Sequence, residues 1–164
     1  MPTLENTNNH IHSSSTIDLT LVTSSTTINP PPISMNKTKT FLLVDDVPTN
    51  RKFLRKLLEQ RGHACEEAEN GLIALNMVRD AINTETSVLY DAVFMDYVMP
   101  TMNGPDATLA IRELGYIGPI IGVTGNSHDD DQAYFMNAGL SDIIIKPLRM
   151  NKLAEIQALN VLRL

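Results

Sequence analysis

Tryptophan is absent from the 164 residues, and cysteine occurs once, at Cys65. A single thiol excludes an internal disulfide framework and leaves no cysteine set for zinc, which fits a reducing intracellular compartment. Cys65 itself reads as a buried free thiol. Arginine is missing before Arg51, and the start Met1-Pro2-Thr3-Leu4-Glu5 has neither a basic segment nor a continuous apolar one. Neither a transit peptide nor a secretory signal is therefore expected. No stretch approaches the ~20 apolar residues that a membrane helix needs. Basic residues form no long run and the formal net charge is -6, so the chain offers no groove for nucleic acid. The expectation is a cytoplasmic protein, with the nucleus also open to it, that binds neither nucleic acid nor membrane.

What is present divides at about residue 38. Residues 1–38 are rich in Ser, Thr and Asn, carry few charges and end near Pro30, Pro31 and Pro32, a composition that predicts a disordered arm with an extended spacer. From residue 39 onward, short apolar runs bounded by turn residues alternate with segments of helical period. Phe41–Val44 predicts a first strand. Phe53, Leu54, Leu57 and Leu58 then recur at helical spacing from Pro48 until Gly62. Residues 63–68 predict a second strand, and after the turn at Asn70-Gly71 the residues Leu72, Leu75 and Val78 line a second helix. Ala92–Met95 is a third strand. Ala107, Ala110, Ile111 and Leu114 give a helical stripe, Pro119–Val123 a fourth strand, and Asp130–Ala138 a helix that Gly139 ends. Ile143–Ile145 is a fifth strand, and Leu153, Ile156 and Leu159 mark a last helix. Strands alternating with helices predict an α/β fold with a five-stranded parallel sheet and helices on both faces. Any site would then lie at the carboxyl ends of the strands.

Those ends carry a distinctive set. Strand one is followed by Asp45-Asp46, strand three by Asp96, strand four by Thr124, and strand five by Lys146-Pro147. Taken singly, each has an ordinary explanation: acids open helices, a threonine caps, a lysine before proline sits in a turn. The run Asp129-Asp130-Asp131 has only that explanation and reads as a cap. The order acid, acid, hydroxyl, ammonium on separate strands is harder to assign to capping. Three carboxylates brought together repel one another, and a hard divalent cation with oxygen ligands relieves the repulsion.

The stretches Phe41-Leu42-Leu43-Val44-Asp45-Asp46, Met95-Asp96-Tyr97-Val98-Met99-Pro100 with Gly104 behind it, Thr124-Gly125 and Lys146-Pro147 together resemble receiver domains of two-component response regulators. The stretches Val47–Arg51 and Met99–Gly104 look most like receivers attached to hybrid histidine kinases. The resemblance covers about residue 39 to the end. It implies a flavodoxin-like doubly wound (βα)5 fold and a magnesium-dependent phosphorelay role. Asp96 would accept a phosphoryl group from a phosphohistidine of a histidine kinase or a histidine phosphotransfer protein. Asp46 with help from Asp45 would hold Mg2+ together with Asp96 and the backbone carbonyl of Val98. Lys146 and Thr124 would bond the phosphoryl oxygens, Gly125 would leave the group room, and the Lys146-Pro147 peptide would be cis. Such a domain phosphorylates and dephosphorylates itself without being a separate turnover enzyme. One position departs from the family: the aromatic usually found three residues before the lysine is Ile143. The usual aromatic arm of the switch is therefore missing, and output coupling is the step this departure affects.

Rival readings fail on particular residues. A magnesium-dependent phosphatase of the haloacid dehalogenase type needs acids two apart, and Val47 and Pro48 stand in those places. A flavodoxin-type or dinucleotide-binding module needs a phosphate loop after strand one, and Asp45–Asn50 contains no glycine. A degenerate receiver that only binds proteins should lack a site residue, and none is missing. The chain could equally be a stand-alone receiver or the C-terminal receiver of a hybrid histidine kinase. Since residues 1–38 lack the apolar surface to order themselves, their removal should leave folding intact. Calorimetry of the truncated chain should show a melting temperature within about 5 °C of the full chain, and a larger fall, above ~1 kcal/mol, would mean that the arm docks.

Overall fold

The structure is a computed structural model and describes residues 38–84, 89–125 and 128–148. The predicted N-terminal arm and the predicted last helix lie outside the described residues. Five strands and four helices alternate: β1 Thr40–Val44, α1 Pro48–Glu59, β2 Ala64–Ala68, α2 Gly71–Asn83, β3 Ala92–Asp96, α3 Gly104–Glu113, β4 Ile120–Thr124, α4 Asp129–Asn137 and β5 Asp142–Ile145. All strand pairs are parallel and the order is β2-β1-β3-β4-β5. That is the flavodoxin-like doubly wound order, with its switch point between β1 and β3.

The continuous apolar strands follow from burial on both faces. Successive side chains point to opposite sides of a sheet. Leu42, Val44, Val93 and Met95 accordingly enter one core with Ala74, Val78, Ala107, Ile111 and Phe135, whereas Phe41, Leu43, Phe94, Ile121 and Val123 enter another with Leu54 and Leu58. Helices α2, α3 and α4 thus cover one face and α1 the other. Each fully buried Leu, Ile, Val, Phe or Met among them contributes about 1.5–3 kcal/mol by leaving water.

Three readings of the apolar pattern need correction. Phe53 was expected to pack with Leu54, Leu57 and Leu58, but it is 48% exposed. Leu72 is exposed too, since the buried face of α2 is Gly71, Ala74, Leu75 and Val78, and Leu72 lies roughly 100° round the helix from Gly71. Cys65 is half-buried on the edge strand β2, and burial pushes its thiol up to about 11, so it stays protonated near neutral pH.

At the amino end of the sheet Arg112 ties three segments together. Its guanidinium donates to the carbonyls of Gly139 at 2.9 Å, Tyr116 at 2.7 Å and Gly118 at 2.7 Å, and to Ser141 Oγ at 3.4 Å. An alanine there leaves several carbonyls without partners. Arg112→Ala should lose about 2–3 kcal/mol and melt roughly 6–12 °C lower. Arg112→Lys should recover less than half, because an ammonium cannot reproduce the planar fork; full recovery by lysine would show that charge alone matters.

Candidate functional site

In-register pairing brings the strand ends to one edge. Val44 pairs with Met95, Asp96 with Val123, and Thr124 with Ile145, so the residues that follow each strand emerge within a rung of one another. The Lys146 amide donates to the Thr124 carbonyl at 2.7 Å, and the cis Lys146-Pro147 peptide follows. The ammonium then lies between two carboxylates, with Nζ 2.8 Å from Asp45 Oδ2 and 2.8 Å from Asp96 Oδ1.

Asp45 is held from several directions. Its Oδ1 accepts the Val47 amide at 2.8 Å, and the Asn50 carboxamide donates to Oδ1 at 3.1 Å and Oδ2 at 3.0 Å. Arg51 donates to the Asp45 carbonyl at 2.5 Å while pairing with Glu67 at 2.9 Å, which fixes the start of α1 against β2. Across the site, the loop from β3 to α3 bends sharply. Thr101 has φ 68°, and the Met102 amide donates to the Pro100 carbonyl at 2.7 Å, a γ-turn of the uncommon positive-φ kind. Gly104 is required by close approach, since a Cβ there would lie 2.0 Å from the Asp96 carbonyl oxygen.

Asp96 is 8% exposed, and burial raises its pKa; Asp45 adds to the rise and Lys146 opposes it. For Lys146, burial works against the charge, but the bonds to Asp45 and Asp96 outweigh it and its pKa is raised. Asp45, Asp46 and Asp96 each offer an oxygen, and these atoms lie within 4.8 Å of one another. Asp46 is exposed. An all-oxygen, anionic donor set of this size fits a hard divalent cation such as magnesium. A cavity of about 540 Å³ opens above it, lined by Asp96, Val98, Thr124, Gly125, His128 and Lys146. The structure therefore brings together every residue expected from the sequence. Thr124 is buried at the end of β4, whereas Val98 is exposed on the cavity wall.

Comparison with known proteins bears on the family. The family model of the response regulator receiver domain matches residues 41–158. The chain belongs to this family. It is 40% identical over 119 residues to the two-component response regulator ORR41 of Oryza sativa subsp. japonica, covering 71% of this chain and 90% of that one. It is 36% identical over 120 residues to hybrid signal transduction histidine kinase I of Dictyostelium discoideum, covering 70% of this chain but 7% of that much longer one. Among solved structures it is similar to the receiver domain of the histidine kinase CKI1 from Arabidopsis thaliana complexed with Mg2+ and BeF3- (29% identity, TM-score 0.64, 73% of this chain and 90% of that one). A receiver domain of a sensor histidine kinase from Pseudomonas aeruginosa PAO1, with a magnesium ion coordinated in its active site cleft, is 28% identical with TM-score 0.64 and covers 76% and 98%.

Several residues around this receiver site were not singled out from the sequence. Asn50 and Arg51 clamp Asp45 from the first turn of α1, and His128 reaches the cavity from the residue before α4. The acidic run fills the first turn of α4, but the cap position itself is His128, with no side-chain cap bond. Asp131 has a further partner: the Tyr97 hydroxyl donates to its Oδ1 at 3.2 Å, while the Tyr97 ring meets Phe135 edge-on at 5.1 Å. Burial, then Asp131, raise the Tyr97 pKa. Ile143 packs, half-buried, against the larger core. The aromatic that joins the site to α4 in this chain is therefore the residue after Asp96.

Proposed function

We propose that this receiver takes a phosphoryl group from a phosphohistidine onto Asp96, in a reaction that requires magnesium, as one step of an intracellular phosphorelay. The observation that carries the reading is Lys146, whose ammonium is shared at 2.8 Å between Asp45 and Asp96. A carboxylate oxygen of Asp96 would attack phosphorus while the phosphorus–nitrogen bond of the donor breaks, its electron pair remaining on the imidazole. The chain's part is positioning. Asp96 ends β3, and in this reading Lys146 pairs with one phosphoryl oxygen while the Thr124 hydroxyl bonds another. Asp46, Asp96 and the Val98 carbonyl, with Asp45 assisting, would hold magnesium, which when bound neutralises oxygen charge on the transferring group.

The donor belongs to the histidine kinase or histidine phosphotransfer class. Val47 and Phe53 stand exposed at the start of α1, and Phe53 lines a cavity with Asn50, Lys146, Pro147 and Leu148. An apolar surface beside the acceptor suits a protein donor rather than a free phosphate ester. The net charge of -6 disfavours nucleic acid as a partner, and no helix among the described residues is long and apolar enough to cross a membrane. The reading is the same for a stand-alone receiver and for one carried by a hybrid kinase, in the cytoplasm or nucleus.

Intact mass after incubation with a small-molecule phosphodonor tests it. With magnesium the wild-type chain should gain one acid-labile, hydroxylamine-sensitive phosphoryl group, and a phosphorylated histidine phosphotransfer protein should label it faster. Asp96→Asn should gain none, and chelation should abolish labelling. Equal labelling of the variant, or labelling indifferent to chelator, would remove Asp96 from the role.

A further inference from the structure

The first turn of α1 bears on the site in a way that the acceptor chemistry does not itself require. An ionised carboxylate offers about four lone-pair positions. For Asp45 three donors engage them, Val47 N at Oδ1, Lys146 Nζ at Oδ2 and Asn50 Nδ2 astride both oxygens, which leaves a position open toward a cation. Asp46 receives no hydrogen bond among the described residues and is exposed, whereas Asp45 is 7% exposed and held by three donors. The two neighbouring acids thus differ in freedom: one is a free carboxylate, the other a fixed one. Among the four contacts that fix Asp45, two come from a single side chain, Asn50. That side chain is neutral, so it orients the carboxylate without cancelling its charge.

We infer that Asn50 is a positioning residue that sets the affinity of the site for magnesium by holding the Asp45 carboxylate toward Asp46 and Asp96. The inference rests on the magnesium-dependent reading above. Without the Asn50 amide, Asp45 keeps the Val47 amide and the Lys146 ammonium, and it is free to turn further onto the lysine. The negative field at the shared oxygens then loses a fixed contributor, and the cost of orienting Asp45 is moved from folding to cation binding. Losses of outer donors to ligand groups weaken metal binding about 10–100-fold. Here the lower end is expected, because Val47 and Lys146 still restrain the carboxylate. Lysine is the wrong restraint to be left with alone, since it draws Asp45 toward a cation that is already present.

Calorimetric titration with magnesium alone, on the wild type, Asn50→Ala and Asn50→Gln, distinguishes the possibilities. Alanine suits the first turn of a helix, so the fold should be kept, and a single cooperative melt in chelator, lowered by the lost bonds to a buried carboxylate, would confirm this. Asn50→Ala should bind magnesium about tenfold more weakly, and Asn50→Gln, which keeps the amide one methylene further out, should recover part of the loss. At saturating magnesium the labelling rate of Asn50→Ala should return to within about threefold of wild type, whereas at limiting magnesium it should fall in line with occupancy, a split that a general structural defect would not give. Equal or tighter magnesium binding by Asn50→Ala would overturn the inference while leaving the magnesium reading intact. Absence of magnesium binding by the wild type would overturn both.

Discussion

One ammonium group holds the working end of this sheet together. Lys146 lies between the carboxylates of Asp45 and Asp96, and Asp46 stands close by, so three negative charges face one positive charge in a partly desolvated cleft. The arrangement is costly for the fold and useful for chemistry. Burial raises the Asp96 pKa, and an acid whose pKa is raised on folding destabilises the folded state once it is ionised. The sign follows from proton uptake: the folded state binds the proton more tightly, so stability falls as pH rises from the ordinary value of 3.8 through the raised one and stays lower at neutral pH. A divalent cation, or the charge rearrangement of phosphoryl transfer, acts on a site already short of positive charge.

The rest of the molecule keeps those groups in place. Two separate apolar cores, one on each face of the sheet, lock the central strands in register, and register alone puts Asp96 beside Val123 and Thr124 beside Ile145. The backbone bond from Lys146 to Thr124 continues β5 pairing just past the strand. Gly104 lets α3 start against the Asp96 carbonyl. At the opposite end of the sheet Arg112 performs the comparable tie among α3, the β4 entry and the β5 entry, through backbone carbonyls rather than carboxylates.

The strands were legible because they are buried on both faces, so their apolar runs stand out without any alternation to decode. The site was legible for a related reason: Asp45, Asp46, Asp96, Thr124 and Lys146 each directly follow or end such a run, and a parallel sheet gathers those positions. What the sequence hid were contacts made across elements by side chains with ordinary local explanations. Asn50 stood out only as part of the family-like stretch Val47–Arg51, with no role of its own, yet it grips Asp45 five residues back. Asp131 reads as a cap, and its bond to Tyr97 depends on how α4 lies over β3. Phe53 and Leu72 were misplaced because an apolar residue at the margin of a helical stripe can face either way, and local pattern does not decide. Cys65 was taken as buried from residue type, whereas β2 is an edge strand.

Differential scanning calorimetry of the wild type and Asp96→Asn, each in chelator and in saturating magnesium near neutral pH, tests the charge argument most directly. In chelator the variant should melt about 3–5 °C above wild type, the equivalent of roughly 1 kcal/mol for a domain of this size, because one desolvated charge is gone and Lys146 keeps Asp45. Magnesium should stabilise the wild type more than the variant and close most of that gap, since a ligand stabilises in proportion to its affinity for the folded state. A variant that melts below wild type in chelator, or a gap that magnesium leaves untouched, would contradict the claim that charge crowding at Asp96 governs this site.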